Sequence, residues 1–135
     1  MNSLAHIEIN VSNLESSKKF YSSILLYLKW VTSLDSKDCV GFKGPDKTSL
    51  FLVQTETEFS STQFHRKNVG LNHIAFRVNS KEEVNLFCDF LKLNSIPTLY
   101  TDGAKDYSLE YGMEEYFSVF FEDPDRIKLE VVFVR

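Results

Sequence analysis

The sequence predicts an α+β fold made of two βαβββ modules that form a cupped mixed sheet with the helices outside. Three observations predict it. The hexamers His6-Ile7-Glu8-Ile9-Asn10-Val11 and His73-Ile74-Ala75-Phe76-Arg77-Val78 lie about half a chain apart and share a His start and the same alternation. Each hexamer is followed by a helix start signal, and each helix by runs rich in β-branched and aromatic residues with turn chemistry between them. Self-similarity of this kind marks two copies of one supersecondary unit.

The hexamers place Ile7, Ile9, Val11 and Ile74, Phe76, Val78 at alternate positions, the period of a strand with one face on a core. His6 and His73 fall on the opposite face. Next come Ser12-Asn13-Leu14-Glu15 and Ser80-Lys81-Glu82-Glu83, each with the Ser and Glu of a capping box. Leu14, Tyr21, Ile24, Leu25 and Leu28 recur at helical spacing in the first helix, and Val84, Phe87, Cys88 and Leu91 in the second. Strands are expected at 30–32, 39–42 and 50–54 in the first module, with Gly44-Pro45-Asp46-Lys47 as a turn. In the second they are expected at 98–101, 116–122 and 128–134, with Asp123-Pro124-Asp125-Arg126 as a turn. The modules span approximately residues 1–58 and 70–135 of a single domain, joined by a polar connector at 59–69.

A chain of 135 residues can bury a real core, and its 43% apolar and 25% charged content is that of a folded globular protein. A net charge of -4, with no basic run longer than Lys18-Lys19 or Arg66-Lys67, offers little attraction to nucleic acid or anionic lipid. The N-terminal residues lack the regions of a signal peptide and no stretch is apolar enough to span a bilayer, so a soluble cytoplasmic protein is expected. Cys39 and Cys88, the two cysteines, lack C-x-x-C spacing and are expected to be reduced.

Alternation in the last strand assigns Leu129, Val131 and Phe133 to the helix side and leaves Lys128, Glu130 and Val132 on the concave side. Glu130, His6 and His73 then share a cavity. Two imidazoles and a carboxylate are a ligand set that holds one divalent ion, Zn, Fe, Mn or Ni, with coordination positions left open for substrate. Each residue alone is more often a hydrogen-bonded His or a surface Glu; the matched place of the two histidines in the repeat favours the metal. Phe51, Val53, Ala75, Phe120 and Val132 fall on the same side and make an apolar wall, suited to an apolar or aromatic substrate.

The segment His6-Ile7-Glu8-Ile9-Asn10-Val11-Ser12-Asn13-Leu14-Glu15-Ser16-Ser17-Lys18-Lys19-Phe20-Tyr21 resembles the opening of the vicinal oxygen chelate superfamily, which includes glyoxalase I, bleomycin-resistance proteins and extradiol dioxygenases. Gly70 to Phe76 is similar to the start of that family's second module, and Phe120 to Glu130 to its closing hairpin. The resemblance covers nearly the whole chain. It implies that His6, His73 and Glu130 occupy ligand positions, that the substrate is a small oxygen-bearing molecule, and that the protein is a homodimer.

Departures from the family pattern narrow the expectation. Glyoxalase I enzymes carry a fourth ligand, a Glu near the end of the first module, where this chain has Phe51. The three-ligand pattern resembles fosfomycin-resistance thiol transferases and extradiol dioxygenases, which show a Tyr where this chain has Phe120. Arg126 replaces the Gly that closes the Asp-Pro-Asp turn, at a cost in strain if its φ is positive. The expected protein is a glyoxalase-like or dioxygenase-like metal-dependent lyase, transferase or dioxygenase, not a standard glyoxalase I. The alternative is a metal-free, bleomycin-resistance-like protein that binds a small molecule or drug.

Glu8, Arg77 and three tyrosines carry two readings each. Glu8 is a candidate general base beside the metal, or a salt-bridge partner of Arg77 or Lys128. Arg77 clamps an anionic substrate or balances Glu8 or Glu130. Phe51 and Phe120 are candidate substrate contacts. Tyr107, Tyr111 and Tyr116 are read as a lid-like loop or as edge packing, and His65 as solvent-exposed.

Overall fold

The computed structural model describes residues 3–135, in which the chain divides into two compact units, one ending at Gln63 and the other Phe64–Arg135. The α+β class holds in each; the first unit keeps the βαβββ order, and the second keeps it with a short strand and a short helix inserted. The first unit contains β1 (His6–Val11), α1 (Leu14–Tyr27), β2 (Val31–Asp35), β3 (Cys39–Lys43) and β4 (Ser49–Gln54), followed by a 3-10 turn at Thr57–Phe59. Its four-stranded sheet has the order β1-β4-β3-β2, with β1 parallel to β4 and the other pairs antiparallel. The α1 helix covers this sheet, burying Leu14, Tyr21, Ile24 and Leu25 with Ile9 and Val11 of β1, Val40 and Phe42 of β3, and Leu50 and Leu52 of β4. Each such side chain contributes about 1.5–3 kcal/mol by leaving water. At the sheet edge every residue of β2 is exposed, and a register shift between Thr32 and Leu34 bends the strand.

The second unit contains β5 (His73–Arg77), α2 (Lys81–Leu93), β6 (Thr98–Leu99), β7 (Lys105–Asp106), α3 (Ser108–Tyr111), β8 (Tyr116–Glu122) and β9 (Lys128–Val134). The sheet order is β5-β9-β8-β6, β5 is parallel to β9, and β7 pairs with β8. Val84, Phe87 and Leu91 of α2 are buried on the face that carries Val119, Phe121, Leu129 and Val131. The strand expected at 98–101 is two residues long, because Tyr100 takes a positive φ of 69° and turns the chain away. The β7 and α3 elements have no counterpart in the first unit.

The caps differ in detail from the expected pair of boxes. The N-cap of α1 is Asn13, not Ser12, and its Oδ1 accepts from Ser16 N at 3.0 Å. Ser80 caps α2 as expected, its Oγ accepting from Glu83 N at 3.1 Å, while the Glu83 carboxylate accepts from Asn79 N at 2.9 Å. Both helices end in one left-handed residue, Lys29 and Ser95, whose N–H groups bond Leu26 O and Lys92 O. Trp30 N and Ile96 N then close on Leu25 O and Leu91 O, so the two ends share one Schellman geometry without glycine. Arg126 does take a positive φ of 64°, and the turn is not shifted: Arg126 N donates to Asp123 O at 3.0 Å. Asp123 Oδ1 accepts from Asp125 N and Ile127 N, both at 2.8 Å, and these bonds hold the turn against the strain. Cys39 and Cys88 are free thiols, with Cys88 half-buried on α2 and pushed up by that burial. No helix among the described residues is long and apolar enough to cross a membrane.

Candidate metal-binding site

In the second unit β5 and β9 run parallel with Ala75 opposite Glu130, which places His73 and Glu130 on one face of the sheet. Glu130 is fully buried, and a buried carboxylate needs charge or hydrogen-bond compensation. It receives two contacts. Glu130 Oε2 lies 3.1 Å from His73 Nε2, and Glu130 Oε1 accepts from the Tyr116 hydroxyl at 2.8 Å. His73 is one-third exposed, and its Nδ1 lies 2.6 Å from Asn72 Oδ1.

This arrangement tests whether a cation suits the site. Asn72 Oδ1 and the Glu130 carboxylate are both acceptors, and a neutral imidazole has one N–H to give. With Nδ1–H given to Asn72, Nε2 meets the carboxylate as one lone pair facing another. The contact is favourable if Nε2 carries a proton or if a cation lies between. Neighbouring donors at right angles on an ion with bonds of about 2.1 Å lie about 3 Å apart, the spacing seen here. A ligating His whose other nitrogen is held by an oxygen acceptor is also the usual supporting arrangement for a metal. The pair fits a divalent ion.

Among the described residues no group of three or more His, Cys, Asp and Glu side chains stands ready to hold an ion. Of the expected ligands, the structure brings together His73 and Glu130. In the first unit His6 opens β1 with its side chain exposed and its ring 5.6 Å from that of Phe51, edge to face. Phe51 lies opposite Glu8 on β1 and opposite Gly41 on β3. The two units can be aligned by register: Ala75 faces Glu130 as Glu8 faces Phe51, and Phe120 faces Glu130 as Gly41 faces Phe51. Phe51 therefore stands in the first unit where Glu130 stands in the second. A Cβ on Gly41 would come within 2.6 Å of the Phe51 ring, so the bulk exchanged at one position is balanced at its neighbour.

Phe120 is buried beside His73, with ring centroids 5.9 Å apart, and also touches Tyr100 and Tyr107 edge-on at 5.7 and 5.6 Å. Tyr107 stacks on Tyr111, which meets Tyr116 at 4.8 Å. This continuous aromatic wall agrees with the edge-packing reading of the three tyrosines, since Tyr107 is buried and Tyr116 lies on β8. Ser118, opposite Val132 on Glu130's face, buries an Oγ with no hydrogen-bond partner among the described residues. Burial first, then the hydrogen bond to Glu130, pushes the Tyr116 hydroxyl well above the usual phenol range, so it stays a donor.

Arg77 donates to Val134 O at 3.1 Å. Lys128 Nζ lies over the rings of Tyr100 and Phe120 at 5.5 and 5.1 Å. Glu8 is exposed beside Phe51 and forms no ion pair among the described residues; its charge helps to push the Cys39 thiol up, after desolvation. His65 is exposed, as expected. The residue that sequence reasoning missed as a partner of the carboxylate is Tyr116. Its signal was parity: it is an even number of residues from Phe120 on the same strand and so shares Glu130's face.

Residues 3–131 match the family model of the Glyoxalase/Bleomycin resistance protein/Dioxygenase superfamily. The chain is 35% identical over 133 residues to YqjT, an uncharacterized protein of Bacillus subtilis, covering 94% of this chain and 95% of that one. A crystal structure of a candidate glyoxalase from Bacillus halodurans is 39% identical and superposes with a TM-score of 0.83, over 96% of this chain and 94% of the other. The fosfomycin resistance protein FosX of Listeria monocytogenes is 17% identical, with a TM-score of 0.69 over 100% of this chain and 95% of its own. At that identity the likeness is one of fold.

Proposed function

The chain belongs to the Glyoxalase/Bleomycin resistance protein/Dioxygenase superfamily, and from that premise we propose that it is a metal-dependent enzyme acting on a small, oxygen-bearing substrate of apolar or aromatic character. The observation that carries the proposal is the His73–Glu130 contact at 3.1 Å, with the far ring nitrogen held by Asn72 and the carboxylate fully buried. His73 and Glu130 are the proposed ligands of the second unit. His6 is proposed as a further ligand on the strength of its matched place in the repeat, in this chain or in a second copy of a homodimer.

A bound divalent ion would polarise a substrate oxygen and stabilise an enolate or oxyanion. The protein's own residues would do the rest. Phe120, with Tyr100 and Tyr107, excludes water from one side of His73 and offers ring edges to an apolar substrate. Phe51 offers a similar surface beside His6. Glu8 is the proposed proton-transfer group because it is an exposed carboxylate next to Phe51. Arg77, an exposed residue, is the proposed contact for an anionic substrate group.

One observation favours a second reading. An imidazolium at His73 would satisfy Asn72 and Glu130 without any metal, as a metal-free small-molecule-binding protein would require. Elemental analysis of protein produced in metal-supplemented medium separates the two. About one divalent ion per chain is expected, lost in Glu130→Ala and kept in Glu8→Ala. Metal-free parent protein under those conditions favours the binding protein.

A further inference from the structure

The carboxylate of Glu130 is engaged on both oxygens, and the two contacts differ in kind. Oε2 faces His73 Nε2, whereas Oε1 accepts from the Tyr116 hydroxyl at 2.8 Å. We infer that Tyr116 is a positioning residue that occupies Oε1, so that Glu130 offers only Oε2 to an ion beside His73 and a coordination position is left for substrate. The inference rests on the metal reading proposed above.

Tyr116 is fixed at every level that such a role requires. It opens β8 opposite Val134, and its side chain crosses diagonally to Glu130, whose direct neighbour on β8 is Phe120. Phe120 has no hydroxyl, so Tyr116 supplies the phenol that reaches the carboxylate. Its backbone is pinned on both sides: Tyr116 N donates to Ser108 Oγ at 2.8 Å, and Tyr116 O accepts from Tyr107 N at 2.7 Å. Ser108 is in turn oriented by Asp106, whose Oδ1 accepts from Ser108 N and from the Ser108 hydroxyl. The ring is packed by Tyr111, itself stacked on Tyr107. The β7 and α3 elements, absent from the first unit, thus hold one phenol in place. A free carboxylate can bind an ion through one oxygen or two, and the two-oxygen mode fills a position that substrate needs. A hydrogen bond from a neutral donor to a buried charged acceptor is strong enough to bias that choice.

The test loads metal-stripped parent, Tyr116→Phe and Tyr111→Phe with cobalt(II) and compares their visible absorption. Tyr116→Phe removes one oxygen and keeps the ring packed on Tyr111, so the fold, followed by near-ultraviolet circular dichroism, is retained. The inference expects weaker cobalt bands in Tyr116→Phe, as Glu130 turns both oxygens to the ion and the coordination number rises, with Tyr111→Phe like the parent. Should Tyr116→Phe not fold, the infrared carboxylate bands of cobalt-loaded parent minus Glu130→Gln give the answer. A wide separation of the two stretches supports one-oxygen ligation, and a narrow one overturns it. Parent protein that binds cobalt, with an unchanged spectrum in Tyr116→Phe, overturns the inference and leaves the metal reading intact. Parent protein that binds no cobalt overturns both.

Discussion

At the scale of single residues, the contact between Gly41 and Phe51 shows how the first unit differs from the second. The Phe51 ring occupies the space that a side chain at position 41 would need. Gly41→Ala is therefore expected to destabilise the protein by about 1–3 kcal/mol through overpacking. In a double-mutant cycle with Phe51→Ala, most of that cost should disappear if the clash is its cause; urea denaturation of the four proteins measures it. Tyr116 makes a different prediction. Its hydroxyl is raised above the ordinary value of 10.0, by desolvation first and by Glu130 second. Below that value the folded and unfolded chains both keep the proton and stability is unaffected. Above it the unfolded chain ionises while the folded one does not, so stability falls as pH rises. Tyr116→Phe should show a shallower loss of stability between neutral pH and strongly alkaline pH than the parent. The alternation that put Glu130 on the face of His73 was legible because a strand has period two; the Tyr116 contact was not, because a diagonal contact depends on register and on how far a side chain reaches.

At the scale of elements, the two helices and the long strands could be read from periodicity, and their boundaries less well. Asn13 displaced Ser12 as a cap because both residue types accept from the first turn, and a shift of one residue leaves the apolar stripe intact. The helix ends gave no signal, since Lys29 and Ser95 take the left-handed conformation usually reserved for Gly. The β7 and α3 elements, of two and four residues, are too short for any period to show. Asn13→Ala and Ser80→Ala should each lower stability by about 1 kcal/mol, the ordinary cost of a lost N-cap, measured by thermal or urea unfolding. Equal stability of Asn13→Ala and parent would show that the α1 cap lies elsewhere.

At the scale of the whole molecule, the repeat determined most of what could be read from the sequence: fold class, the order of elements along the chain, and the matched positions of His6 and His73. The register of the sheets then shows where the copies diverge, with Phe51 in the first unit standing where Glu130 stands in the second. Glutathione-dependent isomerisation of methylglyoxal is accordingly expected to be weak or absent in purified protein, because the first unit has no carboxylate at that position; a robust rate would contradict that assignment. The proposed function rests on the binding of an ion by His73 and the buried Glu130. Its most direct test is calorimetric titration of chelator-stripped protein with zinc, for the parent and for Glu130→Ala. Saturable binding of about one ion per chain is expected for the parent, and in the variant binding weakened beyond the roughly 10- to 100-fold loss typical of a merely supporting residue. Equal binding by both proteins, or none by the parent, would contradict it.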